Sequence, residues 1–94
     1  MNSETKLMPI AHGGVAKLIE ECGELQQELG KFLTYGMGDP PDGRGSLKER
    51  IENEIADVLA AAELVKIKFI LDGARINMRA DAKLKLFLEW DKRE

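Results

Sequence analysis

Apolar residues recur at steps of three and four through long segments of this chain, and that spacing restricts its fold more than any other feature. Residues at this spacing share one face of an α-helix, whereas a half-buried strand requires strict alternation. The pattern predicts a first helix from about Gly14 to Thr34. Its apolar stripe comprises Val15, Leu18, Ile19, Cys22, Leu25, Leu29, Phe32 and Leu33.

A second helix is predicted after a loop that is rich in glycine and proline. The loop spans Tyr35 to Ser46, and its composition favours turns. Ser46 is placed to cap the next helix, and Glu49 is placed to complete a capping box. The helix then runs from Leu47 to about Leu71. Its main stripe comprises Leu47, Ile51, Ile55, Val58, Ala62, Val65 and Phe69.

Asp72 and Gly73 are typical of a helix stop and restart, and a third helix is predicted from about Ala74 to Trp90. No segment alternates in the way a strand would. The second half of the second helix is apolar on nearly every side, because Leu64 and Ile67 lie off its main stripe. The sequence therefore predicts one all-α domain over residues 1–94: a bundle of about three helices per chain, completed by dimerisation into a four-helix-type core.

The charge and composition of the chain argue against some classes of partner and location. The net charge of −3 argues against a nucleic acid polymer. The most apolar run, Val58 to Leu71, is interrupted by Glu63, Lys66 and Lys68, so no membrane span is expected. Cys22 is the only cysteine, and the first ten residues lack the apolar core of a signal peptide. These features predict a cytoplasmic protein.

Two pairs of acids border the apolar stripes of the first two helices. "ECGE" carries Glu21 and Glu24, and "EIAD" carries Glu54 and Asp57, each pair at a spacing that makes side chains neighbours. If the helices pack antiparallel, the four carboxylates face each other and repel unless a cation joins them. Oxygen-only ligands favour Mg²⁺, with Mn²⁺ as a substitute. The alternative is a solvated acidic face, which is the interpretation we adopt for Glu20.

These motifs resemble the ExxE…ExxD signature of the all-α NTP pyrophosphatases, the MazG-like superfamily. The resemblance covers about Leu18 to Leu64, and the chain departs from the usual pattern at Asn53, where a further acid is common. It implies a homodimer or a dimer of dimers that uses Mg²⁺ to cleave a nucleoside triphosphate into a monophosphate and pyrophosphate. The implied metal ligands are Glu21, Glu24, Glu54 and Asp57. One acid, with Glu24 as our choice, would accept the proton of the attacking water.

Two lysines are candidate substrate contacts. Lys31 follows Glu24 by two turns and could reach a phosphate, or it could simply pair with Glu28. In the family that the chain resembles, basic residues of the last helix often hold phosphates, which makes Lys83 the second candidate beside a solvated-face interpretation. Trp90 is interpreted as a packing anchor and His12 as a surface histidine, each with contact to a base as the alternative. Cys22 is predicted to be a core thiol.

Two other functions compete with the nucleoside triphosphate pyrophosphohydrolase. The first is a phosphoribosyl-ATP pyrophosphohydrolase, although that family usually places Tyr-His after its second acidic pair and "ADVLAAAE" has neither residue. The second is a non-catalytic helical dimer that serves as an interaction module. Release of pyrophosphate from a nucleotide panel distinguishes the three.

Overall fold

The structure, a computed structural model, describes residues 14–92, and His12 lies outside that range. It contains three α-helices: α1 spans Val15–Tyr35, α2 spans Leu47–Phe69 and α3 spans Gly73–Asp91. No strand is present between residues 14 and 92. The all-α fold class is confirmed, and each helix begins and ends within about two residues of its predicted bounds.

Short polar side chains begin two of the helices as the sequence predicts. Ser46 Oγ accepts a hydrogen bond of 3.3 Å from the backbone N–H of Glu49, which satisfies one of the N–H groups left over at the start of α2. The carboxylate of Asp72 accepts one of 3.0 Å from the N–H of Arg75 and caps α3 in the same way. These caps fix where the loop and the interhelical turn end.

The first two helices form an antiparallel hairpin. Gly14 lies against Leu64 at one end, and Glu28 contacts Arg50 towards the other, so the chain directions oppose. The apolar stripe of α2 is only partly covered: Leu47 is fully buried, whereas Ile55 and Phe69 are 45% and 53% exposed. The other buried residues of the hydrophobic core within residues 14–92 are Ile51 and Ala61, and Pro40 of the loop is buried as well.

The first helix turns a different face to α2 than its apolar stripe suggests. Its buried side chains are Glu21 and Glu28, so the acidic flank lies against α2. Ile19 and Leu33 are 67% and 85% exposed. Cys22 is also exposed, and the prediction of a core thiol is therefore wrong for the single chain. Part of the stripe of α1 is therefore an uncovered apolar face, while Leu18, Leu25 and Phe32 are half-buried.

The third helix packs along neither α1 nor α2, and the extensive interhelical packing within residues 14–92 is between α1 and α2. Its large apolar side chains are all exposed, and the apolar end of α2 stays uncovered as well, with Ile67 66% exposed. The turn between α2 and α3 places Ile70 at a φ of 52°, a left-handed conformation that is unusual for a β-branched residue. Within residues 14–92, none of the helices combines the length and apolar content that crossing a membrane requires.

Candidate metal centre

Three of the four predicted ligands come together between α1 and α2. Glu21, Glu54 and Asp57 each offer one carboxylate oxygen, and these oxygens lie within 4.8 Å of one another. Glu21 is buried, Glu54 is half-buried and Asp57 is exposed, so the group opens towards solvent on one side. We refer to these three residues as the acid triad.

Glu24 lies beside the acid triad rather than within it. The negative charge of Glu21 raises the pKa of Glu24 above its ordinary value, and partial burial and the charge of Glu54 add to that rise. A carboxyl group that feels two neighbouring acids must lie close to them. The structure therefore places Glu24 at the edge of the site, as a neighbour of both helices' acids.

Burial and neighbouring charges both act on the pKa of Glu54. Burial raises its pKa first, and the charges of Asp57, Glu21 and Glu28 raise it further. Arg44 acts in the opposite direction, which shows that this loop guanidinium lies near the acids. The cluster as a whole therefore carries more negative charge than the neighbouring cations neutralise.

Two buried oxygens of the acid triad have no hydrogen-bond partner among residues 14–92. They are Oε1 of Glu21 and Oε1 of Glu54. A buried carboxylate oxygen without a partner loses its hydration and gains nothing in return. A hard divalent cation, which takes carboxylate oxygens as ligands, would satisfy both atoms. The donor set therefore fits Mg²⁺ or Mn²⁺.

A cavity of about 430 Å³ adjoins the acid triad. Its polar lining comes from two of the three acids and from a lysine at the start of α1, and small apolar residues of α2 complete it. The volume suits a small organic ligand or part of one. The lining residues are Lys17, Glu21, Asp57, Ala60, Ala61 and Leu64.

Glu28 has a structural role that the sequence analysis missed. Its Oε1 lies 2.7 Å from Arg50 Nη2, and its Oε2 lies 3.4 Å from Arg44 Nη2. The signal was present in the spacing: Arg50 precedes Glu54 by four residues and so shares its face of α2. In an antiparallel pair, that places Arg50 opposite the acid one turn beyond Glu24.

Asp42 connects the loop between α1 and α2 to both helices through hydrogen bonds. Its carboxylate accepts two hydrogen bonds of 3.0 Å from Arg50 and one of 3.1 Å from Lys31. It also accepts a bond from the N–H of Arg44. These bonds, those from Arg50 above all, hold the pKa of Asp42 well below its usual range. Lys31 thus pairs with Asp42, and its suggested pairing with Glu28 is wrong.

Lys83 is not brought to the acids within one chain. It lies on α3 and lines a groove of about 840 Å³ along that helix, together with Arg75 and Arg79. Trp90 packs against Phe87, with ring centroids 5.4 Å apart and planes tilted by 43°. Lys31 and Lys83 both remain predicted substrate contacts. For Lys83 this contact requires α3 to approach the acids of a different copy of the chain.

Comparisons of the chain with protein-family models, with curated proteins and with solved structures find no match. The resemblance to the MazG-like superfamily therefore rests on the acidic motifs and the helical hairpin that carries them. Function is therefore inferred from the residues of the site itself.

Proposed function

We propose that this protein is a Mg²⁺-dependent nucleoside triphosphate pyrophosphohydrolase that acts as a homodimer or a dimer of dimers. One observation carries the proposal: the acid triad gathers three carboxylates within 4.8 Å, and buried oxygens of Glu21 and Glu54 have no partner in the described chain. Such a group is costly unless a cation completes it. A neighbouring cavity of small-molecule size gives a substrate a place beside that cation.

Glu21, Glu54 and Asp57 would hold the cation, with Glu24 alongside as the fourth acid. Bound Mg²⁺ would supply charge neutralisation for the phosphates and a lowered pKa for the attacking water. Glu24 lies outside the converging triad, and we assign it the role of accepting the proton from that water. A glutamate with a raised pKa is suited to that role.

A second copy of the chain would supply what a single chain lacks. The exposed apolar faces of α1 and α3 require a cover, and two copies can cover each other. Arg75, Arg79 and Lys83 follow at steps of four, so they form one basic stripe along α3. Because α3 does not reach the acids of its own chain, Lys83 would contact substrate phosphates from the partner copy.

The direct test is release of pyrophosphate from a panel of nucleoside triphosphates, in Mg²⁺ and in chelator. Turnover that requires the metal and yields a monophosphate supports the proposal. Turnover of phosphoribosyl-ATP alone supports the first alternative. The exposed apolar faces favour the second alternative, a helical interaction module, if a stable dimer forms and no member of the panel is hydrolysed.

A further inference from the structure

One lysine already occupies the edge of the proposed metal site. Lys17 Nζ lies 3.1 Å from Glu21 Oε2 and 3.1 Å from Glu20 Oε1. It lies one helical turn before Glu21, so both side chains meet on the same face of α1. The same lysine lines the cavity beside the acid triad, and its side chain is 46% exposed.

We propose that Lys17 is a tethered cation that exchanges partners. In the absence of a divalent cation, its ammonium group neutralises Glu21. When a divalent cation takes Glu21, the ammonium group turns to an anionic group in the cavity, which under the proposed function is a phosphate of the substrate. This inference rests on the proposed function and assigns Lys17 a part in it as a phosphate-binding residue.

The local charges support the exchange. The acid triad carries nominally three negative charges, and Lys17 contributes one positive charge. A divalent cation would bring the sum over these four residues to about zero, so the repulsion of an anion that remains would come from the neighbouring Glu20 and Glu24. Without Lys17 the same group would remain negative after the cation had bound, and a phosphate would be repelled.

The lining of the cavity also supports a phosphate-binding role for Lys17. Among its described lining residues, Lys17 is the cationic one. Its apolar lining residues, Ala60, Ala61 and Leu64, offer no donor to a charged oxygen from their side chains. A phosphate entering this cavity can therefore be paired by Lys17, while the acids serve the metal.

The experiment compares Lys17→Met with the parent. Methionine retains a long apolar chain and removes the charge, and Lys48→Met is the matched control. Lys48 forms the same kind of exposed pair with Glu52, at 2.8 Å and four residues away on α2. Calorimetry at constant ionic strength first measures the affinity for Mn²⁺, and then the affinity for inorganic pyrophosphate at saturating Mn²⁺.

Opposite changes in the two affinities are expected for Lys17→Met. Mn²⁺ should bind about two- to fivefold more tightly, because a competing exposed ion pair has been removed. Pyrophosphate should bind about tenfold more weakly, because a charged hydrogen bond has been lost. Lys17→Arg should restore both affinities towards the parent values, and Lys48→Met should change neither. A merely structural role would weaken both ligands together.

The possible negative results distinguish a failure of the exchange from a failure of the proposed function. Equal Mn²⁺ affinity in the parent and Lys17→Met would overturn the exchange, and so would unchanged binding of pyrophosphate. Either result would leave the metal site and the proposed function standing. If neither protein bound Mn²⁺, the proposed function and the exchange would both be wrong. Melting curves and circular dichroism of every variant verify that the helices are intact.

Discussion

Arg50 Nη2 lies 2.7 Å from Glu28 Oε1, and the two side chains are only 10% and 6% exposed. This nearly buried ion pair joins α1 to α2 immediately beside the acid triad. The ion pair distinguishes Glu28 from the acids of the triad, which have the same side-chain chemistry. Both oxygens of Glu28 lie within 3.4 Å of a guanidinium nitrogen of Arg50 or Arg44. Glu21 is paired only with the half-exposed Lys17, and Glu54 has no ion pair within residues 14–92. A buried charge that loses its partner is strongly destabilising. Arg50 therefore holds α1 and α2 together next to the acid triad.

Asp42→Asn should lower the melting temperature at neutral pH. The substitution removes the charge of a carboxylate that accepts hydrogen bonds from both guanidinium nitrogens of Arg50 and pairs with the ammonium group of Lys31. The pKa of Asp42 lies well below its unfolded value of 3.8, so its contribution is fully present above about pH 3.8. That contribution is lost as the pH falls through the folded pKa.

Melting curves between pH 2 and pH 7 measure the difference between the parent and Asp42→Asn. The difference should be largest near neutrality and should shrink below about pH 3.8. Asp39→Asn is the control, because Asp39 is an exposed acid in the same loop. A difference that stays constant across the pH range would contradict the role given to the charge of Asp42.

The sequence predicts the helices well because local features set their limits. Ser46 and Asp72 are strong caps, and the glycines and prolines of the loop cannot continue a helix. Which face of α1 meets α2 is not a local property. The apolar stripe alone points to Ile19 and Leu33 as core, yet packing sets Glu21 and Glu28 against α2.

The acid triad was predictable because the i, i+3 spacing and the antiparallel hairpin together bring its members close. The separation of Glu24 from that triad was not, since it depends on how far the helices are rotated about their axes. The pairing of Lys31 with Asp42 was equally hidden. Asp42 lies in a loop, and no periodicity relates a loop residue to a helix face.

Gly14→Ala should destabilise the protein by about 1–2 kcal/mol. Gly14 has a φ of +85°, and a Cβ atom there would lie 2.7 Å from Leu64 Cδ2. The substitution therefore introduces both backbone strain and a clash at the start of α1. Gly30→Ala is the matched control within the same helix, because a Cβ atom at Gly30 meets nothing within 4 Å in the described chain. It should stabilise the protein by about 0.5–1 kcal/mol; equal effects would contradict this account of Gly14.

The protein should sediment as a dimer or tetramer at micromolar concentration. Within residues 14–92 the hydrophobic core has only Leu47, Ile51 and Ala61 as buried members, and exposed apolar side chains remain on α1 and α3. Ile19→Glu should shift the equilibrium towards monomer, because a charge would then be buried between copies. Gln27→Glu adds the same charge at an exposed position outside the apolar stripe of α1 and should leave the assembly intact. A stable monomeric parent would refute the prediction.

Glu54→Gln should lower Mg²⁺-dependent turnover by at least about tenfold without unfolding the protein. The substitution preserves the size of the side chain and removes the charge of a predicted metal ligand. Two controls share its chemistry: Glu52→Gln changes an exposed acid of the same helix, and Glu20→Gln changes the acid next to the triad. Initial rates on the best nucleotide measure all three. Parent-like turnover by Glu54→Gln would show that it is not a ligand.

Glu21→Gln should raise the melting temperature of the metal-free protein and reduce the gain from Mg²⁺. The charge of Glu21 is the main cause of the raised pKa of Glu24, and it contributes to that of Glu54. A carboxyl group with a raised folded pKa binds more protons when folded than when unfolded. Stability of the metal-free parent should therefore fall as the pH rises from about 4.5, the ordinary value of these groups, through their raised pKa values.

Loss of the Glu21 charge should flatten that decline, since the repulsion that causes it is reduced. Mg²⁺ binds the folded state preferentially and should raise the melting temperature of the parent by several degrees at neutral pH. Glu20→Gln is the control, because Glu20 shares Lys17 with Glu21 at the same 3.1 Å but lies outside the triad. It should retain the parent's Mg²⁺ gain. Equal gains in the parent and Glu21→Gln would exclude Glu21 as a ligand, because the glutamine lacks the charge that a divalent cation requires.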